Sequence, residues 1–248
     1  MKPLRWAWIV ALCWSIAAHA ANVHVAVAAN FLAPMQQIAT AFAQDTGHQA
    51  ILSAGSTGKL YAQIHNGAPF DVLLSADEAT PARLEKAGLA LAGSRFTYAT
   101  GKLVLWSAQV GLVDTQGAVL RSNLSSRIAL ADPQLAPYGA AALQVLTQLG
   151  QLARWQPQFV LGKDIAQTYH FIASGNAPLG FVASAQVFAN GQLTSGSAWL
   201  VPTHLYTPLH QDALVLARAK DNPAALALMA YLRGTKARQI VRSFGYGP

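Results

Sequence analysis

The sequence predicts an α/β protein of two similar lobes, each built on a mainly parallel sheet and joined to the other by a hinge. Strand-like and helix-like segments alternate along the chain, which favours parallel strands covered by helices on both faces. The strand, turn, helix unit recurs in both halves without detectable sequence identity between them. A last strand and its helices return from the second half to the first, and two crossings between lobes imply a hinge.

Ahead of the first strand, Lys2 and Arg5 precede an apolar run from Trp6 to about Ala18, and His19 between Ala18 and Ala20 completes a small-x-small cleavage signal. Residues 1–20 therefore read as a cleaved secretory signal peptide, and the mature chain, from Ala21, is expected to be exported. The run is shorter than the roughly 20 apolar residues of a membrane span. Val10-Ala11-Leu12 lacks the small residue usual before a lipidated cysteine. Cys13 is the only cysteine and leaves with the leader, so stability has to come from the core rather than from disulfides.

The elements then follow in order. Val23-His24-Val25-Ala26-Val27 is a β-branched alternating run, and Leu32, Met35, Ile38, Ala39 and Phe42 recur at helical spacing until Gly47. Gln49-Ala50-Ile51-Leu52 is a second strand, and Leu60, Tyr61 and Ile64 mark a helix that Asn66-Gly67 ends. Residues 71–75 form a third strand, followed by a helix near 81–87 closed by Gly88. Lys102-Leu103-Val104-Leu105-Trp106 opens the second unit, where 127–131 read as a strand, 132–139 as a turn and 140–149 as a helix. Residues 159–161 are a strand, Lys163-Asp164 stands at the mouth of a helix reaching about Ala173, and Leu179-Gly180-Phe181-Val182 precedes a helix around 184–189. Leu214-Val215-Leu216-Ala217 and helices over 224–232 and 236–243 complete the first lobe. The expected division is 21–100 with 207–248 for lobe one and 101–206 for lobe two.

In such sheets ligands sit beyond the carboxyl ends of the strands, and two turns of small residues stand there. Ala28-Ala29-Asn30-Phe31 follows the first strand, and Ser53-Ala54-Gly55-Ser56-Thr57-Gly58-Lys59 joins the second to its helix. Unpartnered N–H groups at such turns close around an anion when no bulky side chain intervenes, so the pair suggests an oxyanion receptor. Asn30, Ser56 and Thr57 suit helix capping as well as ligand contact. Gly55 and Gly58 flank the hydroxyls, and capping requires no such flank. Tyr138, in Leu135-Ala136-Pro137-Tyr138-Gly139, is placed either to pack or to donate its phenol across the cleft. At Asp164-Ile165-Ala166 an anion would meet the Ile165 N–H while Asp164 caps the helix and points aside.

Other classes fit poorly. The net charge of +7 falls by two with the leader, charged residues make up 11% of the chain, and the basic ones are dispersed without interleaved aromatics. That pattern disfavours nucleic acid and leaves a mild field for small anions. Ser53 stands where a P-loop needs its first glycine and Leu60 where it needs Ser or Thr, so Lys59 reads as a solvated helix residue. His24, His48, His65, His170, His204 and His210 form no H-x-x-x-H pair, which disfavours zinc. Ser56 lies outside a G-x-S-x-G elbow, leaving a secreted hydrolase as a remote alternative. Asp71, Asp77, Glu78 and Asp132 are expected mainly as caps and first-turn charges.

Taken together, Ala28-Ala29-Asn30-Phe31, Gly55 through Ile64, Asn66-Gly67-Ala68-Pro69-Phe70-Asp71-Val72, Leu74-Ser75-Ala76-Asp77, Asp132-Pro133 with Ala136-Pro137-Tyr138-Gly139, and Ala177 through Val182 resemble the periplasmic molybdate-binding proteins of ABC importers. The resemblance covers essentially the whole mature chain. It implies the type II periplasmic-binding-protein fold, a monomer that holds a molybdate or tungstate dianion between its lobes and delivers it to a membrane ABC permease, with no cofactor and no catalysis. By position it puts the ligand contacts on Ala29 and Asn30, on Thr57 with Ser56 beside it, on Tyr138, and on Ile165 through its backbone. These residues would hold the oxyanion through its oxygens, with no direct metal ligand. Many relatives carry Ser or Thr at or just before the Asn30 position, where this chain has Ala28 and Ala29. More of the binding then falls to main-chain N–H groups and the Asn30 amide.

A site of neutral donors suits that cargo. A buried dianion loses a large hydration energy, which several charge-assisted hydrogen bonds from pre-oriented dipoles must offset. Donors without acceptors penalise hydrogen phosphate for its unmatched hydrogen. Size then separates molybdate and tungstate from sulfate, the alternative ligand of the same class.

Overall fold

The computed structural model describes residues 20–247 apart from Asn123 and Ser125, so the leader expected over 1–20 lies outside the described residues but for Ala20. β1 (Asn22–Ala28) leads through a 3-10 turn (Ala29–Phe31) into α1 (Leu32–Thr46), β2 (Gln49–Gly55) and α2 (Thr57–His65). β3 (Val72–Leu74), α3 (Ala79–Lys86) and β4 (Phe96–Gly101) follow. Val23, Val25 and Val27 pack with Phe31, Met35, Ile38 and Phe42 on one face of the sheet. Ala26 packs with Leu60, Ile64, Leu73 and Leu84 on the other, as the two-residue period of a strand requires.

The second unit runs through β5 (Leu103–Ser107), β6 (Ile128–Ala131), α4 (Pro137–Gln148), α5 (Leu152–Trp155), β7 (Phe159–Gly162), α6 (Ile165–Ala173) and β8 (Leu179–Ala183). α7 (Ser184–Val187) is followed by a hairpin of β9 (Phe188–Ala189) and β10 (Gln192–Leu193), then β11 (Ser197–Leu200) and β12 (Leu209–Val215). The chain ends in α8 (Pro223–Arg233) and α9 (Thr235–Ser243).

The two five-stranded sheets have the same plan, β2-β1-β3-β12-β4 and β7-β6-β8-β5-β11. In each, four strands point one way and the strand that has crossed from the other lobe, β12 or β5, runs against them. The crossings fall between β4 and β5, through Lys102, and between β11 and β12. Arg95 pairs with Asp212 at 3.1 Å, and Thr97 Oγ1 donates to the same carboxylate at 2.7 Å, which ties β4 to β12 beside the crossings.

Several boundaries differ from the sequence expectation for visible reasons. α4 starts at Pro137, not Ala140, because proline is pre-shaped for the first helical position. Tyr138 and Gly139 thus lie in its first turn rather than in the preceding loop, and a Cβ on Gly139 would run into the Ala131 carbonyl. The helix expected to Ala189 stops at Val187, where Asn190 (φ 51°) and Gly191 (φ 77°) turn the chain back as a hairpin. β4 has no counterpart among the expected strands, although the aromatic and threonine residues of Phe96-Thr97-Tyr98-Ala99-Thr100-Gly101 favour one.

Candidate functional site

Parallel register decides where the site lies. Ala28 pairs with Gly55 at the carboxyl ends of β1 and β2, and Ala131 pairs with Gly162 at those of β6 and β7. Each of these four strands leads towards a helix whose N-terminus faces the cleft, so each lobe contributes two. Between them lies a cavity of about 10 Å³ lined by Ala28, Ala29, Asn30, Gly55, Ser56, Thr57, Ala76, Ala136, Pro137, Tyr138, Asp164 and Ile165. All six residues expected at the site, Ala29, Asn30, Ser56, Thr57, Tyr138 and Ile165, are therefore brought together. The volume lies below the roughly 300–1,000 Å³ of pockets for organic ligands. A larger depression of about 760 Å³ along α6, lined by Lys163, Asp164, Gln167, His170 and Asn176 among others, shares only Asp164 with the cavity.

The cavity is rich in donors. The main-chain N–H groups of Ala29, Asn30, Thr57, Tyr138 and Ile165 lie in first turns, where a helix gives them no internal partner. The Thr57 hydroxyl accepts the Ala76 N–H at 3.0 Å, which leaves its own proton to give. Ser56 is 4% exposed, and its Oγ is the one buried side-chain polar atom without a hydrogen-bond partner among the described residues. Tyr138 is buried, and its hydroxyl accepts from Gln211 Nε2 at 3.2 Å. Burial, with Tyr246 close by, holds the Tyr138 phenol well above its ordinary pKa, so it stays a neutral donor. The lining includes no lysine or arginine. Its one acid, Asp164, accepts the Gln167 N–H at 2.9 Å as the cap of α6, as expected.

Two residues behave differently from the sequence reading. Asn30 does not offer its amide to the cavity: Nδ2 donates to Gln211 Oε1 at 2.9 Å and to Tyr246 Oη at 3.1 Å. Its main-chain N–H remains for a ligand. Gly58 is not required by its own turn, because its φ is not positive. Instead its N–H donates across the cleft to the Leu135 carbonyl at 2.9 Å, and a Cβ would sit 3.1 Å from Leu135 Cα and from that carbonyl oxygen. The lobes are therefore closed on one another, with Ala28 and Ala76 of the first packing into the core of the second.

Gln211, Tyr98 and Tyr246 sit behind the cavity, and sequence reasoning misses them. The only signal for Gln211 is its place, with His210 and Asp212, in the strand that becomes β12. The acids are structural: Asp71 accepts the His24 N–H at 2.8 Å, Asp77 the Thr80 N–H at 2.8 Å and Asp132 the Gln134 N–H at 2.9 Å. No group of three metal-ligating side chains occurs among the described residues.

Comparison with known proteins agrees with this geometry. The family described as bacterial extracellular solute-binding protein matches residues 23–247. The chain is 57% identical over 231 residues to the molybdate-binding protein ModA of Azotobacter vinelandii, covering 93% of this chain and 92% of that protein. It is 46% identical to ModA of Rhodobacter capsulatus, over 94% of this chain and 90% of the relative. The solved Azotobacter vinelandii periplasmic molybdate-binding protein superposes with a TM-score of 0.88 at 46% identity, over 91% of this chain and 99% of that one. A sulfate-binding protein of Mycobacterium tuberculosis shares the fold at a TM-score of 0.72 and 17% identity, covering 93% and 87%.

Proposed function

This chain belongs to the bacterial extracellular solute-binding proteins, and from that premise we propose that it captures molybdate between its lobes in the periplasm and delivers it to an ABC permease. It is a binding protein, as its relatives are, and not an enzyme. The carrying observation is the small interlobe cavity at which four helix N-termini meet, lined by donors and free of cationic side chains, with the Ser56 hydroxyl unpartnered inside it. Such a site rewards a fully deprotonated tetrahedral anion, whose oxygens satisfy the donors and whose charge suits the helix termini. Tungstate, of the same shape and charge, binds likewise.

In this reading the Ala29, Asn30 and Ile165 N–H groups and the Ser56, Thr57 and Tyr138 hydroxyls hold the oxygens. Residues 21–100 with 207–248 and residues 101–206 form the two lobes of a monomer, and the leader over 1–20 is cleaved. Ser56 is unsuited to hydrolysis, since no base accepts its proton. Thermal shift of the mature protein with each anion tests the proposal. Molybdate and tungstate raise the melting temperature by mass action, and sulfate and phosphate raise it far less at equal concentration. Equal shifts from sulfate would remove the size argument.

A further inference from the structure

We propose that Gln211 is a positioning residue of the anion site: it fixes the polarity of the Tyr138 hydroxyl so that Tyr138 gives its proton to the bound anion. This rests on the anion-receptor reading above. Gln211 is wholly buried on β12, in the first lobe, whereas Tyr138 belongs to α4 in the second.

The direction of the hydrogen bonds that link Tyr246, Asn30 and Gln211 follows from one main-chain carbonyl. The Asn30 C=O can only accept, so Tyr246, at 2.7 Å, donates its single proton there. Toward the Asn30 side chain, at 3.1 Å, Tyr246 must then accept, which requires the NH2 of that amide to face it. The same NH2 lies 2.9 Å from the Gln211 amide, so the Gln211 atom facing it is the oxygen. Tyr98 has one proton, which lies between that oxygen, at 3.1 Å, and the Ser75 carbonyl, at 2.9 Å, so it does not decide the orientation. With its oxygen towards Asn30, Gln211 is left with its NH2 towards Tyr138 at 3.2 Å. Tyr138 accepts on that side and retains its proton, for which the neighbouring Tyr246 hydroxyl and an anion in the cavity are the acceptors within its surroundings. Reversing the Gln211 amide would oppose two donors at Asn30, both buried, at the cost of a lost hydrogen bond.

The fold makes room for this pair. A Cβ on Gly101, at the crossing between lobes, would collide with the Tyr138 hydroxyl and with Gln211 Nε2. Because the two partners come from opposite lobes, the bond forms as the cleft closes, and closure sets the donor.

A double-mutant cycle read by titration calorimetry with molybdate at pH 8 tests this, with unliganded melting temperatures as the folding check. Gln211→Met and Tyr138→Phe each weaken binding about tenfold, and the double variant binds no worse than Tyr138→Phe alone. Gln211→Met also narrows the preference for molybdate over phosphate, since an unconstrained Tyr138 can accept the phosphate hydrogen. If Gln211→Met does not fold, Tyr246→Phe, at the other end of the same chain of bonds, takes its place with the same coupling expected. Equal losses in both Tyr138 backgrounds, or no loss, would overturn the inference. A wild-type protein that binds no oxyanion would instead bring down the receptor reading, and this inference with it.

Discussion

Ser56 and Thr57 carry hydroxyls into the same cavity, yet their surroundings give them different roles. Thr57 Oγ1 also holds the buried Ala76 N–H, so Thr57→Ala should lower the stability of the unliganded protein by about 1–3 kcal/mol as well as weakening binding. Ser56 Oγ has no protein partner, so Ser56→Ala should leave that stability unchanged or higher while costing binding about 1.5–3 kcal/mol, the worth of a hydrogen bond to a charge. Chemical denaturation and calorimetry on both variants separate the effects, and a stability loss in Ser56→Ala would show that its hydroxyl has a structural partner. Individual residues are only partly legible in the sequence. The small-residue turns locate Ala29, Asn30, Ser56 and Thr57, and the helix mouths at Pro137 and Asp164 locate Tyr138 and Ile165, because strand-to-helix turns advertise themselves locally. The commitment of the Asn30 amide to Gln211 and Tyr246 depends on positions 181 and 216 residues away, which no local pattern encodes.

At the level of elements, the parallel pairs β1/β2 and β6/β7 place their following helices with N-termini at one point, and valine-rich and small apolar strands announce them in the sequence. β4 and the short hairpin after α7 carry a weaker announcement, since their stability comes from pairing with β12 and from a two-residue turn rather than from an apolar run. Gly58, at the start of α2, is where a local reading and a tertiary one diverge. A valine there fits the turn but meets the Leu135 backbone of the opposite lobe. Gly58→Val should therefore keep a normal circular dichroism spectrum and lose affinity at least tenfold by hindering closure. Unchanged affinity in the folded variant would mean that the cleft closes without this contact.

Across the whole molecule, two sheets of one plan and two crossings bring the lobes together on a cavity lined without lysine or arginine. Tyr138 in the cavity wall and Tyr98 and Tyr246 behind it are buried, and burial raises the pKa of each phenol above its ordinary value. In the unfolded chain they titrate near pH 10, so the folded state holds their protons longer, and stability present below about pH 10 declines as pH rises beyond it. Denaturation midpoints measured from pH 8 to 11 should fall only above about pH 10; a flat profile would place the phenols in contact with solvent. The most direct measurement is a crystal structure of the protein grown with molybdate. The anion should occupy the cavity between Ser56, Thr57, Tyr138 and Ile165, its oxygens within hydrogen-bond distance of those hydroxyls and of the Ala29, Asn30 and Ile165 N–H groups. Molybdate bound elsewhere, or held in the cleft by a lysine or arginine side chain, would contradict a site built from neutral donors.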